Sequence, residues 1–193
     1  MLQQRWSISL SRVMYVLLFV SVAINALQAR KILDLVEPAA STRSRIGELA
    51  SPLTGVGLDG RAKSIHFRTA LPTVLYYFSP TCGWCERNWE NMRALARASN
   101  GHFRLVGIAT DTNLASFASE RELDFELLGG ISSDVKIELG LSGTPQMLVV
   151  SSQGRISREW TGAFEGRRKR SIEDFFDIEL PGVQPASKAT IRR

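Results

Sequence analysis

Two cysteines, Cys82 and Cys85, are the only thiols among the 193 residues of the chain. They flank Gly-Trp, follow a short apolar run at 74–78 and precede a stretch with helical periodicity. A strand, a Cys-x-x-Cys pair and a helix, in that order, are the setting in which two thiols carry out redox chemistry. The pair therefore predicts thiol–disulfide exchange.

The predicted helix gives the two thiols different roles. Free backbone N–H groups at a helix N-terminus favour a thiolate, so Cys82 is the predicted nucleophile. Cys85 lies one turn further on, facing the core, and is the predicted resolving thiol. Cys82 would attack a partner's disulfide, and Cys85 would then attack Cys82, which leaves a redox-active Cys82–Cys85 disulfide. The same steps in reverse oxidise a dithiol, so the direction of electron flow stays open.

Other uses of the two thiols fit less well. A bridge between them closes a very short loop and constrains the unfolded chain little. One zinc ion needs about four ligands, and the two histidines, His66 and His102, do not have finger-like spacing. We therefore predict no metal and no cofactor.

The net charge of +5 and the pI of about 9.6 raise the question of nucleic acid. The basic residues are scattered, however, and their one dense cluster, at 167–170, has no interleaved aromatic residues. Such a cluster is typical of a solvated turn before a helix. We predict no nucleic-acid partner.

The N-terminus reads as a membrane segment. Residues 13–29 carry no charge, and at a rise of ~1.5 Å per residue they span roughly 25 Å. We predict an uncleaved single-pass anchor within 1–30; the alternative is a signal peptide cleaved after Leu27-Gln28-Ala29. In both cases the rest of the chain lies outside the cytoplasm, where a disulfide persists.

The remaining organisation follows from local patterns. A linker is predicted at 31–52, an α/β domain with a mixed sheet at 53–180, and a disordered tail at 181–193. The expected elements of the domain are a hairpin at Asp59-Gly60, strands at 74–78 and 103–109, one helix from Cys85 to Asn100-Gly101, a helix capped by Asp111 or Thr112, a short helix at 133–139, a hairpin of 146–150 with 156–160, and a last helix capped by Ser171.

A second group of residues, Gly143-Thr144-Pro145-Gln146, precedes a predicted strand. Proline at the first residue of a strand cannot donate to the ladder. Together with the cysteine pair, this proline points to a functional loop. Trp84, between the thiols, is expected to be exposed, where it contacts substrate or tunes the pair.

These features resemble thioredoxin-fold proteins. The resemblance rests on Phe-Ser-Pro-Thr-Cys-Gly-Trp-Cys at 78–85, on Gly-Thr-Pro at 143–145 and on the Gln-Gly-Arg-Ile turn at 153–156. The leading hairpin and the anchor resemble the TlpA/ResA branch, which includes the cytochrome c maturation reductases. The resemblance implies a thioredoxin-like fold, with a central mixed sheet flanked by helices.

The resemblance also implies roles and partners. The Thr144–Pro145 bond would be cis, face the disulfide and help to hold a partner peptide. The implied clients are protein disulfides, such as those of apocytochromes. A thiol-reducing electron donor in the membrane would return the protein's own cysteine pair to the dithiol. The implied location is the cell membrane, with the catalytic domain in the periplasm.

The chain also departs from these relatives. Tyr76 stands where thioredoxins carry a buried carboxylate, and Asn88 stands where some relatives carry a glutamate, so no acid/base helper is assigned. The fragment Ser79-Pro80-Thr81-Cys82 is also similar to MauD-type accessory proteins. A disulfide-introducing oxidase and a client-binding assembly factor therefore remain alternatives to a reductase.

Overall fold

A computed structural model describes residues 3–35, 44–112 and 114–185, with side chains described from residue 11 onward except at 29–35. The chain divides into two compact units, Met1–Ser41 and Thr42–Arg193. Parts of the predicted linker and tail, at 36–43 and 186–193, lie outside the described residues.

The first unit contains one long helix, α1, from Gln3 to Leu35. Its segment Ser11–Gln28 has a mean hydropathy of 1.5 and is long and apolar enough to cross a membrane. A signal sequence near the N-terminus meets the same criteria. The choice between an anchor and a cleaved signal therefore stays a prediction.

The second unit is built on a seven-stranded mixed sheet in the order β2-β1-β5-β4-β3-β6-β7. Strand β3 lies parallel to β4 and antiparallel to β6, which carries the antiparallel β7 at the sheet edge. Strand β5 lies parallel to β4 and antiparallel to β1, which pairs with β2 at the other edge. The strands are β1 (Leu53–Gly57), β2 (Ala62–Ile65), β3 (Thr73–Phe78), β4 (Arg104–Ala109), β5 (Glu126–Gly129), β6 (Gln146–Val150) and β7 (Ile156–Thr161).

Helices cover both faces of this sheet. They are α2 (Gly83–Glu86), α3 (Trp89–Ser99), α4 (Ala115–Glu120), α5 (Ser133–Glu138) and α6 (Gly166–Phe176). Helices α3, α4 and α6 contribute to the core on the face that carries Tyr76 and Phe78, whereas α5 packs on the face that carries Leu75 and Tyr77. All six residues of β3 are buried, as its apolar run predicts. The predicted α/β fold with a central mixed sheet is confirmed.

Three local expectations were wrong. The single helix expected from Cys85 is divided into α2 and α3 at Asn88, whose amide turns into the core. Helix α4 begins at Ala115 without a side-chain cap, because Asp111 accepts a hydrogen bond from the N–H of Thr112 instead. Helix α6 begins at Gly166, so Ser171 lies inside it, where its hydroxyl accepts from Trp160 Nε1 at 3.1 Å.

Strand β5 was not expected at all. It has only four residues, too few to show a period, and its neighbours β4 and β1 supply the pairing that makes it a strand. The second unit extends beyond the predicted 53–180 domain on both sides. On the N-terminal side, the N–H groups of Gly47 and Ala50 donate to the β6–β7 hairpin. On the C-terminal side, the N–H of Gly182 donates to Asn91 in α3, and that of Gln184 donates to the carbonyl of Arg87, which follows α2.

Candidate active site

Cys82 lies where β3 gives way to α2, at the mouth of the site. It is the N-cap residue of α2, and its sulfur accepts a hydrogen bond from the backbone N–H of Cys85 at 3.2 Å. On its other side the thiol donates to the carbonyl oxygen of Thr144 at 3.5 Å. Both cysteines are free thiols, and Cys82 is half-buried. The sulfur thus sits between the helix start and the loop of Thr144.

The hydrogen bonds that the Cys82 sulfur accepts favour its thiolate. Partial burial acts to raise the pKa of Cys82, but hydrogen bonds from the side chains of Cys85 and Thr144 and from the backbone N–H groups of Cys85 and Trp84 act against it. Their sum holds the pKa of Cys82 below its ordinary value. Helix α2 has only one turn, so local N–H groups rather than a long helix dipole stabilise the charge.

Cys85 has the opposite environment. It is fully buried in the core cluster that contains Tyr76, Trp89 and Phe164. Burial, together with the neighbouring Cys82, raises the pKa of Cys85 to about 12. It is therefore a protonated thiol at neutral pH, three residues from the thiol that ionises readily.

The predicted proline loop lies against the Cys82 thiol. The Thr144–Pro145 peptide bond is cis. The Pro145 carbonyl accepts from the N–H of Gly162 at 2.7 Å, which ties this loop to the segment that follows β7. The carbonyl of Thr144 accepts the hydrogen bond of the Cys82 thiol. Of the predicted site residues, Cys82, Cys85 and Thr144 are thus brought together.

Gln146 stabilises the same loop through hydrogen bonds of its side chain. The sequence did not mark it as a site residue. It is fully buried at the start of β6. Its Oε1 accepts from the N–H of Ser142, and its Nε2 donates to the Gly140 carbonyl and to Glu159. Three bonds from one buried amide hold the backbone that presents Thr144 to Cys82.

Trp84 forms the exposed rim of the site. Its side chain is 48% exposed, as predicted for a residue between the thiols. The guanidinium of Arg87 lies 4.5 Å from the centre of the indole ring. Arg87 itself is held by Gln184, which accepts from Arg87 Nε at 2.7 Å and donates its N–H to the Arg87 carbonyl. An exposed apolar ring beside a reactive thiol is suited to contact a polypeptide.

Behind Cys85 lies a chain of buried polar side chains. Asn88 Nδ2 donates to the hydroxyl of Tyr76 at 3.1 Å, and Asn91 Nδ2 donates to Asn88 Oδ1 at 2.8 Å. Tyr76, Asn88 and Asn91 are all fully buried. The sequence identified Tyr76 and Asn88 as departures from related proteins, but Asn91 carried no signal except its place on the inner face of the helix.

Metal-binding clusters were sought among the described residues. In the part of the chain that the structure describes, no group of three or more His, Cys, Asp or Glu side chains could hold a metal ion. The site is therefore defined by two thiols, a proline loop, an exposed indole and the buried polar chain.

Comparison with solved structures identifies the fold. The thioredoxin domain of a thiol-disulfide oxidoreductase from Bacteroides vulgatus superimposes with a TM-score of 0.51 at 20% identity, over 68% of this chain and 97% of that one. A thiol:disulfide interchange protein from Bacteroides sp. gives 0.54 at 18%, over 68% and 90%. The second unit has a thioredoxin fold.

A third similar structure is a secreted disulfide oxidoreductase from Mycobacterium tuberculosis, described as homologous to E. coli DsbE. It gives a TM-score of 0.52 at 19% identity, over 64% of this chain and 93% of that one. No protein-family model and no curated protein matches the chain. At these identities the comparisons establish the fold alone.

Proposed function

We propose that the protein is an extracytoplasmic thiol-disulfide oxidoreductase that reduces disulfides of client proteins through Cys82 and Cys85. The observation that carries the proposal is the asymmetry of the pair. The pKa of Cys82 is lowered at an accessible cleft, whereas burial raises the pKa of Cys85 to about 12. A nucleophile that ionises readily and a resolving thiol held in reserve are what disulfide exchange requires.

The reaction proceeds in two steps. The Cys82 thiolate attacks one sulfur of a client disulfide, so a Cys82–client bond forms, the client S–S bond breaks, and the departing client thiolate takes up a proton. The Cys85 sulfur then attacks Cys82 and forms the Cys82–Cys85 disulfide. Its proton goes to the second client thiolate, which leaves as a thiol. The client gains two electrons, and the enzyme pair loses two.

The cleft supplies a place for the client. Thr144 and the cis Pro145 form one wall, and Trp84 forms the exposed rim. We infer that an extended client segment lies along the proline loop and contacts the indole. Apocytochromes and other maturation partners have the chemistry of such clients, and a thiol-reducing donor in the membrane would restore the dithiol.

The proposed location is compatible with this role. The apolar segment Ser11–Gln28 would hold the domain at the outer face of the cytoplasmic membrane, with the thiols in the periplasm. The reductase direction rests on the resemblance to the TlpA/ResA branch. An oxidase would use the same residues in reverse.

Insulin reduction by the full-length protein in detergent, driven by dithiothreitol, tests the proposal. Cys82→Ser should abolish the reduction, and Cys85→Ala should accumulate mixed disulfides that a non-reducing gel detects. Full activity of Cys82→Ser would overturn the proposal. A third outcome is that neither the wild type nor Cys82→Ser reduces insulin, while both still bind a client. The protein would then be a client-binding assembly factor.

The potential of the pair tests the direction. A value near that of thioredoxin, about −270 mV, with a mostly reduced pool in the cell would support a reductase. A potential of about −120 mV with a mostly oxidised pool would support an oxidase.

A further inference from the structure

Arg87 is held beside Trp84 by the segment that follows α6 and not by a carboxylate. Its Nε donates to the carbonyl of Gln184 at 2.7 Å, and its own carbonyl accepts from the N–H of Gln184 at 2.9 Å. Its guanidinium lies 4.5 Å from the centre of the Trp84 ring. The side chain is half-buried, and it forms no ion pair with any carboxylate of the described residues. The charge of Arg87 is therefore fixed in place without being neutralised.

Arg168 has a similar environment beside the proline loop. Its Nη1 donates to the carbonyl of Ala163 at 2.7 Å. Its guanidinium packs over Gly162, whose N–H donates to the carbonyl of Pro145 at 2.7 Å. Arg168 is also half-buried and, within the described part of the chain, has no carboxylate partner. One member of the basic cluster at 167–170 thus lies next to the segment that holds the proline loop.

A single hydrogen bond joins the surroundings of the two arginines. The N–H of Phe164 donates to Oδ1 of Asn88 at 3.2 Å. Asn88 follows Arg87, and the carbonyl that Arg168 binds belongs to the residue before Phe164. Strand β3 ends, β6 begins and β7 ends at this edge of the sheet, which is where Cys82 lies. The two guanidinium groups therefore belong to the same end of the second unit as the reactive thiol.

Four other arginines of the second unit are neutralised by glutamates. Their ion pairs, with N···O distances of 2.5–2.9 Å, are Arg45–Glu48, Arg93–Glu90, Arg104–Glu126 and Arg121–Glu86. A guanidinium that is bound to a backbone carbonyl instead keeps its full charge and has further N–H groups for an incoming acceptor. Arg87 and Arg168 are of this second kind.

The carboxylates near these two arginines are balanced by other cations. Glu86, which precedes Arg87, is bonded to Arg121 at 2.9 Å. Glu165, which precedes α6, is exposed, and Arg167 is an exposed cation in the first turn of the same helix. The chain as a whole carries a net charge of +5. A positive excess therefore remains at this end of the second unit.

We propose that Arg87 and Arg168 form a carboxylate-binding surface that selects clients with acidic residues beside their disulfide. The inference rests on the proposed function, because it names the class of client for the same cleft. A guanidinium matches the planar carboxylate of a client with two parallel hydrogen bonds. Both groups are held before the client arrives, so less side-chain entropy is lost on binding. Their charge also speeds the encounter with an acidic segment.

Three synthetic peptides measure this selection. Each contains one internal disulfide, and they differ only at two positions beside the first cysteine, which are both glutamate, both glutamine or both lysine. The full-length protein in nonionic detergent, driven by dithiothreitol, reduces each peptide at ~0.1 M salt, and chromatography gives kcat/KM. Each kcat/KM is divided by the rate constant with dithiothreitol alone, which removes differences in the reactivity of the peptides themselves.

The wild type should reduce the glutamate peptide at least about threefold faster than the glutamine peptide, and the lysine peptide at least about threefold slower, as expected for exposed charge pairs. The three values should converge in ~1 M NaCl, where the Debye length is about 3 Å. Equal values at low salt would overturn the inference, also if phosphatidylglycerol vesicles bound the protein, because lipid would then be the ligand of this surface. If the wild type reduces none of the peptides, the proposed function itself fails, so the two failures are distinguishable.

The variant that tests the surface is Arg87→Glu, with Arg97→Glu as the matched control. Arg97 is exposed in the last turn of α3, about 12 Å beyond the start of that helix, and its substitution changes the net charge equally. In Arg87→Glu the ratio of the glutamate to the lysine value should fall at least about fivefold. In the control the ratio should stay within about twofold. Equal ratios in the two variants would overturn the inference, because total charge would then explain the preference.

The ratio is independent of any uniform loss of activity that a displaced Trp84 would cause. If Arg87→Glu does not fold, Arg168→Gln tests the other half of the surface. This variant removes one charge beside the proline loop, so the same ratio should fall at least about twofold. An unchanged ratio in Arg168→Gln would overturn the inference.

Discussion

Cys82 and Cys85 lie within one helical turn, yet the protein surrounds them with opposite environments. Cys82 is half-buried at the cleft, among backbone N–H groups and Thr144. Cys85 is fully buried among aromatic rings, with the buried polar chain behind it. The difference teaches that one four-residue sequence can hold a thiol with a lowered pKa and a thiol with a raised pKa, because its two ends meet different surroundings.

The largest expected effect concerns alkylation at pH 7. Because the thiolate is the reacting form, Cys82 should react at least about 10³-fold faster than Cys85. The Cys85 rate should rise about tenfold per pH unit towards its pKa of about 12. Mass spectrometry after timed iodoacetamide treatment measures both rates. In urea the two rates should converge; similar rates in the folded protein would contradict the comparison.

The next effect is on the core that shields Cys85. Phe78 is fully buried, and its ring centre lies 5.0 Å from that of Trp89 and 5.5 Å from that of Phe117. Phe78→Ala should lower the free energy of unfolding by about 3–5 kcal/mol, because it leaves a cavity. It should also speed alkylation of Cys85.

Denaturant unfolding measures this loss. Phe175→Ala is the matched control, since Phe175 is 39% exposed on the same face of the sheet. Its loss should be clearly smaller. Equal losses for the two substitutions would mean that the shielding of Cys85 does not depend on its own aromatic neighbours.

A smaller effect is expected for the anchored end of the polar chain. Asn91→Ala leaves the N–H of Gly182 without its acceptor and takes one donor from Asn88. The free energy of unfolding should fall by about 1–3 kcal/mol. Thermal and denaturant unfolding of the reduced protein measure it. Ordinary surface substitutions change the free energy of unfolding by less than about 0.5 kcal/mol. A change within that range would show that the bond from Gly182 does not stabilise the buried polar side chains.

The smallest effect on stability is expected on the Cys82 side. Trp84→Ala removes a half-exposed ring and its contact with Arg87, so the free energy of unfolding should change by about 1 kcal/mol or less. The KM for insulin should rise, because the indole is the proposed client contact. Steady-state reduction at varied insulin concentration measures the KM. An unchanged KM would show that Trp84 does not contact the client.

Much of the fold could be predicted because it depends on local patterns. The apolar run of β3 and the turn at Gly154 needed no partner to be recognised. The short strand β5 could not be predicted, since only pairing with β4 and β1 makes it a strand. The start of α6 was misplaced because Ser171, a good capping residue, binds Trp160 instead.

The site divides in the same way. Spacing and residue type were enough to single out both thiols and the proline loop. The two cysteines stand where a strand gives way to a helix, and the proline stands just before a strand. The bracing amide of Gln146 and the direction of the polar chain depend on backbone groups far away in sequence, so no local pattern revealed them.

By itself, the sequence determined that two thiols follow a buried strand and begin a helix, which is the pattern from which we proposed exchange. Only the tertiary structure decided what lies behind the second thiol. Asn88 receives the N–H of Phe164, 76 residues away, and Asn91 receives that of Gly182, 91 residues away. The physical reason is that a buried amide takes its direction from whichever donor folding brings to it, and these donors turn the Asn88 N–H group towards the Tyr76 hydroxyl.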